Sequence, residues 1–485
     1  MKFIAILLTF IIMASFQSSQ SQDNHGIFTS FNSINAEPDQ GSFFYDEKLQ
    51  TYAIQNFVNE LISENHSFHV VSAPRQNQFI LRARLDMLED GTAGLIIKDQ
   101  QNPESFYIKL FVRADGRTAL SYKSGQNEAK RELGEADVLQ IERNNDTFII
   151  SEARFGETFG ERTRIELKMN KTVHAGLFAS AGSAQFSNVR ITVPVDDDYV
   201  PYQEYIGSRL EILNVETGHL EVVHEENRSL QAPNWTIDGK SLIYNADGLL
   251  YNFDLESRTY TQIYSGFATR NNNDHVISFS GEMLGISHHS EDHNGQSIVY
   301  VIPIEGGIPI QVTDLGPSYL HGWSAGDDTL TYTGLRNGQY DIYKISVEGG
   351  EEVQLTDTPG LDDGSEYTPD GRYIYFNSER TGTMQIWRMR PDGSNQEQLT
   401  FDEYQDWFPH ISPDGRTVVF LSYLPEVPSG DHPFYKHVYL RKMPLDGGEP
   451  KVIAYLYGGQ GTINVPSWSP DSRYISFVSN TQMED

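Results

Sequence analysis

The sequence predicts an all-β chain, an N-terminal β-sandwich of the jelly-roll type followed by a six-bladed β-propeller closed by both chain ends. Three observations lead there. One phrase recurs at a fixed interval through the C-terminal half, and half-units stand at the two ends of that array. The first half shows short alternating strands with scarcely any helical period.

The recurring phrase reads "EYTPDGRYIYF", "FPHISPDGRTVVF" and "PSWSPDSRYISF". Taking the residue before its Ser or Thr as position zero gives Trp235, Phe279, Trp323, Tyr367 and Ile411 at intervals of 44 residues, then Trp468 after 57. A period in the forties with four short strands per unit predicts propeller blades. In the fourth unit "SEYT" enters, "PDG" turns, and "RYIYFNS", "MQIWRMR" and "EQLT" follow as strands. Asp-Gly between alternating runs marks a hairpin, because Gly takes positive φ at little cost. The second and third units, "SFSGEMLGIS" and "WSAGDDTLTY", lack that turn but keep the spacing. After Trp468 the chain supplies only "PSWS" and "RYISFVSN". Ahead of the first unit stand "RLEILNV" and "HLEVVHE", and joining these halves makes a sixth blade. All five Trp lie in this half, three of them at position zero, where packing between blades is expected.

Residues 25–195 carry the strand candidates "QFILRARLDML", "AGLIIKD", "SFYIKLFVRADGRTALSYK", "TFIISEARF", "TRIELKM" and "VHAGLFASAGSAQFSNVRITV", a sandwich pattern. "VPVDDDYVPYQEY" breaks the pattern with prolines and acids. The expected organisation is a signal peptide at 1–21, the sandwich at 25–195, a linker at 196–204 and the propeller at 205–485. Lys2 followed by "FIAILLTFIIMASF", too short to span a bilayer comfortably, and then by "QSSQSQDN" reads as an export signal, cleaved before Gln22. The sequence contains no cysteine, so a lipoprotein anchor and disulfides are excluded, and no later run has spanning length. A net charge of −31 argues against nucleic acid and anionic membranes as partners. The expected address is the periplasm or the exterior of a bacterium.

"PSWSPDSRYISFVSN", "SPDGRTVVFLS" and "QIWRMRPDGSNQEQLT" resemble the repeats of the Tol-type (TolB-like) propellers, named for the periplasmic protein of the Tol–Pal envelope system. The same repeat serves peptidases, oligogalacturonate lyases and binding proteins, so it implies fold more than function. The strand order of the first half resembles the concanavalin-like jelly rolls attached to secreted bacterial sugar-processing proteins. That resemblance implies carbohydrate binding or a structural spacer, and this half has no Trp to offer a sugar.

Candidate chemistry concentrates in loops on one propeller face. Eight of the 14 His fall from His275 onward. "NNNDHVISF" places Asp274 and His275, "SYLHGW" places His321, "DDGSEY" Glu366 and "FPHIS" His410, each ahead of a first strand. Converging imidazoles and carboxylates suit a general acid–base pair or a divalent metal, for which His275 and His321 are the expected ligands. His288 and His289 in "SHHSEDHNG" sit on a neighbouring loop. The lengthened fifth-unit loop "YLPEVPSGDHPFYKHVYL" adds His432, Tyr435 and Lys436 as a binding lip, and Gln460 in "YGGQGT" a turn on the same face. Because strand side chains alternate, the bland alternative is that these His support strand entrances. Gly-x-Ser-x-Gly, His-Glu-x-x-His and Walker phrases are absent.

The function expected from these features is binding or processing of a glycan in polysaccharide utilisation, with the His-bearing face as the site. An enzyme of this kind would be a lyase or hydrolase, and the oligogalacturonate lyase resemblance implies one divalent metal held by His on the axis. The alternative is a non-enzymatic Tol-like scaffold that docks envelope proteins.

Overall fold

A computed structural model describes residues 24–34, 36, 40–56, 67–99, 106–196, 198–200 and 202–483. The expected export signal at 1–21 lies outside them, as do linker positions 197 and 201. The described residues fall into two compact units, one within 1–154 and 159–191, the other within 155–158 and 192–485. Among them every named element is a strand except the 3-10 turn Glu291–His293, and no helix is long and apolar enough to cross a membrane.

The first unit is one antiparallel network of twelve strands. Two of them, Gln78–Lys98 and Thr172–Thr192, each run 21 residues and change partners halfway. Gln78–Arg84 pairs with Val138–Asn144, whereas Thr92–Lys98 pairs with Tyr107–Arg113. Thr172–Ala179 pairs with Phe68–Gln76, whereas Gly182–Phe186 pairs with Tyr52–Asn56. The crossover points carry Gly91 and Gly182 at φ +71 and +60. A Cβ on Gly91 would stand 2.7 Å from that of Ala181, so the two strands meet where only glycine fits. Phe79, Leu81, Leu95, Ile108, Phe148, Leu177 and Phe186 form the core of this unit.

The second unit is a six-bladed propeller. Five antiparallel sheets of four strands follow one another at 230–263, 271–311, 318–354, 362–398 and 405–458. The sixth sheet orders Leu220–Glu226, Gly207–Asn214 and Tyr474–Thr481, the last two in register from Gly207↔Thr481 to Asn214↔Tyr474. Trp468 adds a single bridge to Ile475.

Each blade opens on one hairpin, and its Ser or Thr explains the recurring phrase. Thr236, Ser278, Ser324, Thr368, Ser412 and Ser469 each accept the amide five residues on through the side-chain oxygen, at 2.9–3.1 Å. The same six donate their own amides back across the turn, to the carbonyls of Ser241, Met283, Thr329, Tyr373, Thr417 and Tyr474. These six residues are spaced by 42, 46, 44, 44 and 57, not by a strict 44. Position zero of the second unit is therefore Ile277, not Phe279. Its turn is Ser278-Phe279-Ser280-Gly281, with Gly281 at φ +76, and Phe279 is an exposed turn residue. The correction moves His275 to the repeat position that His321 holds in the next blade.

The blades pack face to face. Ile243 and Leu250 of the first meet Leu284, Ile286 and Ile298 of the second, and Tyr375 and Ile386 of the fourth meet Val418 and Phe420 of the fifth. Trp323 and Trp468 donate their indole N–H to the backbone of the preceding blade, at Val276 O (2.8 Å) and His410 O (2.9 Å).

Candidate functional site

The first strand of each complete blade is irregular, with its register shifting between Gln231 and Asn234, Asn271 and His275, Leu320 and Gly322, Asp363 and Glu366, and Trp407 and His410. A bulge re-aims the side chains around it. Ala232, Gly364 and Phe408, at one repeat position, take φ +54, +65 and +55. Gly364 is required there, because a Cβ would come within 2.4 Å of Asn377 Oδ1.

These strands end on a cavity of about 820 Å3. The residue five before each turn hydroxyl supplies its wall: Gln231, Asn273, Tyr319, Asp363 and Asn464 all line it. The sixth, Trp407, instead stacks flat on His432 (4.5 Å, 4°), which does. One repeat position thus delivers side chains from five of the six blades to a common site.

Its buried charges belong to three residues. His321 Nε2 lies 2.9 Å from Asp363 Oδ1, which also accepts Thr333 Oγ1 (2.6 Å) and the Gly364 amide (2.8 Å). Burial would lower the His321 pKa, but the Asp363 charge and hydrogen bond, with Asp274 and the Asn464 carbonyl, raise it to about 9. Burial likewise opposes ionisation of Asp363, and the His321 cation overcomes it, holding that carboxyl at about 2. Asp274 is only 5% exposed and is pushed up to about 6, by burial first and then by the Asp363 charge, against the pull of His321 and Asn272. At neutral pH the site therefore holds an imidazolium beside two carboxylates. An imidazole that keeps its proton to about 9 is a poor general base, and a metal would have to displace that proton.

The expected residues divide. Asp274, His289, His321, His432 and Gln460 line the cavity; His275, Glu366, His410, His288, Tyr435 and Lys436 do not. His275 is fully buried, its Nε2 facing the Ile243 carbonyl (3.1 Å) of the preceding blade, and burial lowers it to about 4. The pair expected to ligate a metal is thus split between core and cavity. Among the described residues no group of three or more His, Asp and Glu is arranged to hold a metal ion. Glu366 and His410 pair with each other (2.7 Å). Glu366 also accepts the Ile411 amide (2.9 Å), while His410 Nε2 meets the Ile463 carbonyl (2.5 Å), so they bind neighbouring blades together. His288 packs edge-on against Phe267 and Tyr300. The Tyr435 hydroxyl accepts the Ile206 amide (3.2 Å), and Lys436 is exposed at a strand start. From the long fifth-blade loop, Gly430, His432 and Phe434 reach the cavity.

Sequence reasoning overlooked Asp363, Asn273, Tyr319, Tyr340 and Asn464. The signal was present: counting five back from each turn hydroxyl finds four of these five. Only Tyr340, on a third strand, lies outside that count.

Residues 319–427 match the family model PD40, the TolB beta propeller domain. An uncharacterised protein of Agrobacterium fabrum (strain C58) is 46% identical over 272 residues, 56% of this chain and 92% of that protein. A solved Agrobacterium tumefaciens structure provisionally named TolB is 44% identical, with a TM-score of 0.55, over 58% of this chain and all (100%) of that one. TolB from Acinetobacter baumannii is 17% identical with a TM-score of 0.40, over 52% of this chain and 64% of its own. With a six-bladed propeller and a relative covered almost end to end, the chain belongs to the TolB-type β-propeller family.

Proposed function

We propose that the protein is an exported docking propeller that holds a protein partner of the cell envelope at its central cavity, acting by binding rather than by catalysis. One observation carries this reading: a single repeat position sends Gln231, Asn273, Tyr319, Asp363 and Asn464 into one cavity. Amides and a phenol donate and accept hydrogen bonds without changing protonation, which suits recognition of a polar chain. The histidines that glycan chemistry would need are otherwise engaged. His275 and His410 face backbone carbonyls, and His321 keeps its proton beside Asp363. The docking reading is preferred to glycan processing for that reason and for the family.

In this reading residues 1–21 direct export to the periplasm or exterior and 25–195 form a jelly-roll sandwich. Residues 196–204 link it to a propeller at 205–485, whose ring is closed by the pairing of Gly207–Asn214 with Tyr474–Thr481.

The test is a photo-crosslinking side chain placed at Gln460 in cells of the native host, with Phe401, 76% exposed and outside the cavity lining, as control. A discrete adduct with one envelope protein from position 460 alone is expected. Absence of any protein adduct, together with cleavage of a polysaccharide by the purified protein, would reverse the assignment.

A further inference from the structure

The cavity's carboxylates are not equally satisfied. Asp363 has His321, Thr333 and the Gly364 amide. Glu379 accepts the Leu361 amide (3.1 Å) and Ser429 Oγ (2.9 Å), and Asp247 lies 3.5 Å from Arg228. Asp274 has only Asn272, whose side-chain amide donates to Oδ2 (2.6 Å). Among the described residues its Oδ1 accepts no hydrogen bond, and none makes an ion pair with it. A carboxylate 95% removed from solvent is costly to keep when the nearby cation, His321, is paired with Asp363 instead. Tyr319 and Tyr340, with ring centroids 6.3 Å apart, line the same cavity, and burial first, then Tyr340 and the Asp274 charge, push the Tyr319 hydroxyl pKa up. A carboxylate with an open oxygen beside aromatic rings is the chemistry that receives an organic cation.

We propose that the cavity receives the ammonium group of a lysine side chain on the docked partner, with Asp274 as counter-ion and the Tyr319–Tyr340 pair as its aromatic wall. This rests on the docking reading and names the chemistry it uses. A volume of about 820 Å3 accommodates a short peptide segment around that lysine. An alkylammonium is preferred to a metal ion because, among the described residues, Asp274 is the buried cavity carboxylate with an open oxygen, and no group of three His, Asp and Glu is arranged around it to hold a metal.

The groups facing Asp274 are Asn272 on its own strand, His321 of the third blade and Asp363 of the fourth. His321 stays protonated to about 9 and Asp363 ionised to about 2, so of these only Asp274, near 6, changes charge between pH 5.0 and 7.5. Ammonium binding should accordingly weaken roughly ten-fold from pH 7.5 to pH 5.0, as the ionised fraction of Asp274 falls. His432 also lines the cavity, its pKa lowered by burial, and its protonation would act in the same direction. The difference between wild type and Asp274→Asn is therefore the readout.

The experiment is calorimetric titration of the full chain with acetyl-Ala-Lys-Ala-amide, its ε-acetylated form, 1,5-diaminopentane and calcium chloride. The lysine peptide should bind at pH 7.5 and the ε-acetylated peptide should not. Asp274→Asn should weaken the lysine peptide at least ten-fold and flatten its pH dependence while melting no lower than wild type. Tyr340→Leu should weaken it with the pH dependence intact, which guards against a fold defect in the first variant. Equal binding of both peptides overturns the proposal. So does binding of calcium with no binding of the lysine peptide, or a pH dependence that survives in Asp274→Asn. A crosslinked partner with no lysine preference would leave the docking reading standing and this inference refuted.

Discussion

Asp274→Asn should make the propeller more stable at neutral pH. An unfolded Asp titrates near 3.8, and burial beside Asp363 moves Asp274 to about 6, a displacement of roughly two pH units at about 1.4 kcal/mol each. The folded carboxylate therefore costs about 3 kcal/mol above pH 6 relative to its protonated form. The sign follows from the direction: with the folded pKa raised, the contribution is fully favourable below 3.8 and is lost as pH rises through about 6. Asparagine keeps the shape and the acceptor for Asn272 and removes the buried charge. At roughly 2 °C per kcal/mol for a unit of this size, Asp274→Asn should raise the melting temperature by about 6 °C at pH 7.5. Calorimetry at pH 7.5 and pH 4.0 reads both ends, and the gain should shrink strongly at pH 4.0. A variant that melts below wild type at pH 7.5, or gains equally at both pH values, would refute the reasoning. A destabilising charge kept at a binding cavity is the trade that function exacts from stability.

Other outcomes follow from the same geometry. Asp363→Asn should destabilise the propeller by roughly 3–5 kcal/mol, because it strands the buried His321 cation, and the His321→Gln/Asp363→Asn double variant should recover part of that loss on urea unfolding. With the folded pKa of His321 raised to about 9, its stabilisation holds below 6.5 and disappears as pH rises through 9, so wild-type melting should fall across that window and His321→Gln should flatten it. Glu366→Ala should cost about 2–4 kcal/mol by releasing His410 and the Ile411 amide, yet leave lysine-peptide affinity within two-fold, since neither residue lines the cavity. Truncation after Trp468 removes the partner strand of Gly207–Asn214 and should produce cooperative unfolding at lower temperature, and an unchanged transition by circular dichroism would contradict ring closure.

The propeller was legible because its signal is local: a Ser or Thr accepting the amide five residues on, then a residue at positive φ, is chemistry that neighbours in sequence decide. Phe279 misled for the same reason, since Phe-Ser mimics the phrase and only Gly281 at φ +76 marks the true turn. In the first unit "QFILRARLDML" and "AGLIIKD" read as separate strands but are one, Gln78–Lys98, because the bend at Gly91 exists only through its approach to Ala181. The site was harder to read. Histidines attract notice, yet His275, with the backbone carbonyl it faces 32 residues away, is core. Strict alternation placed the first-strand side chains on faces that the bulges then changed, and a bulge stabilised by contacts between blades leaves little trace in a single strand. Asp274 was found from its neighbourhood to His275; Asp363, the partner of His321, was overlooked although it stands in "DDGSEY" with the expected Glu366.

The cavity wall drawn from one position per blade has a consequence for how such a site changes over time. The turn residues stay Ser or Thr in all six blades, whereas the wall position holds Gln, Asn, Tyr, Asp, Trp and Asn in order. A frame near six-fold rotational symmetry thus presents an asymmetric surface, and a ligand that needs the Tyr319–Asp363 side of the ring has only one rotational setting in which to sit. Exchanging Gln231, Asn273, Tyr319 or Asn464 would rewrite the ring's preference without touching the hairpin hydroxyls. The turn hydroxyls shape the hairpins while the wall position sets the chemistry of the cavity, although Asp363 and Trp407 serve the fold as well.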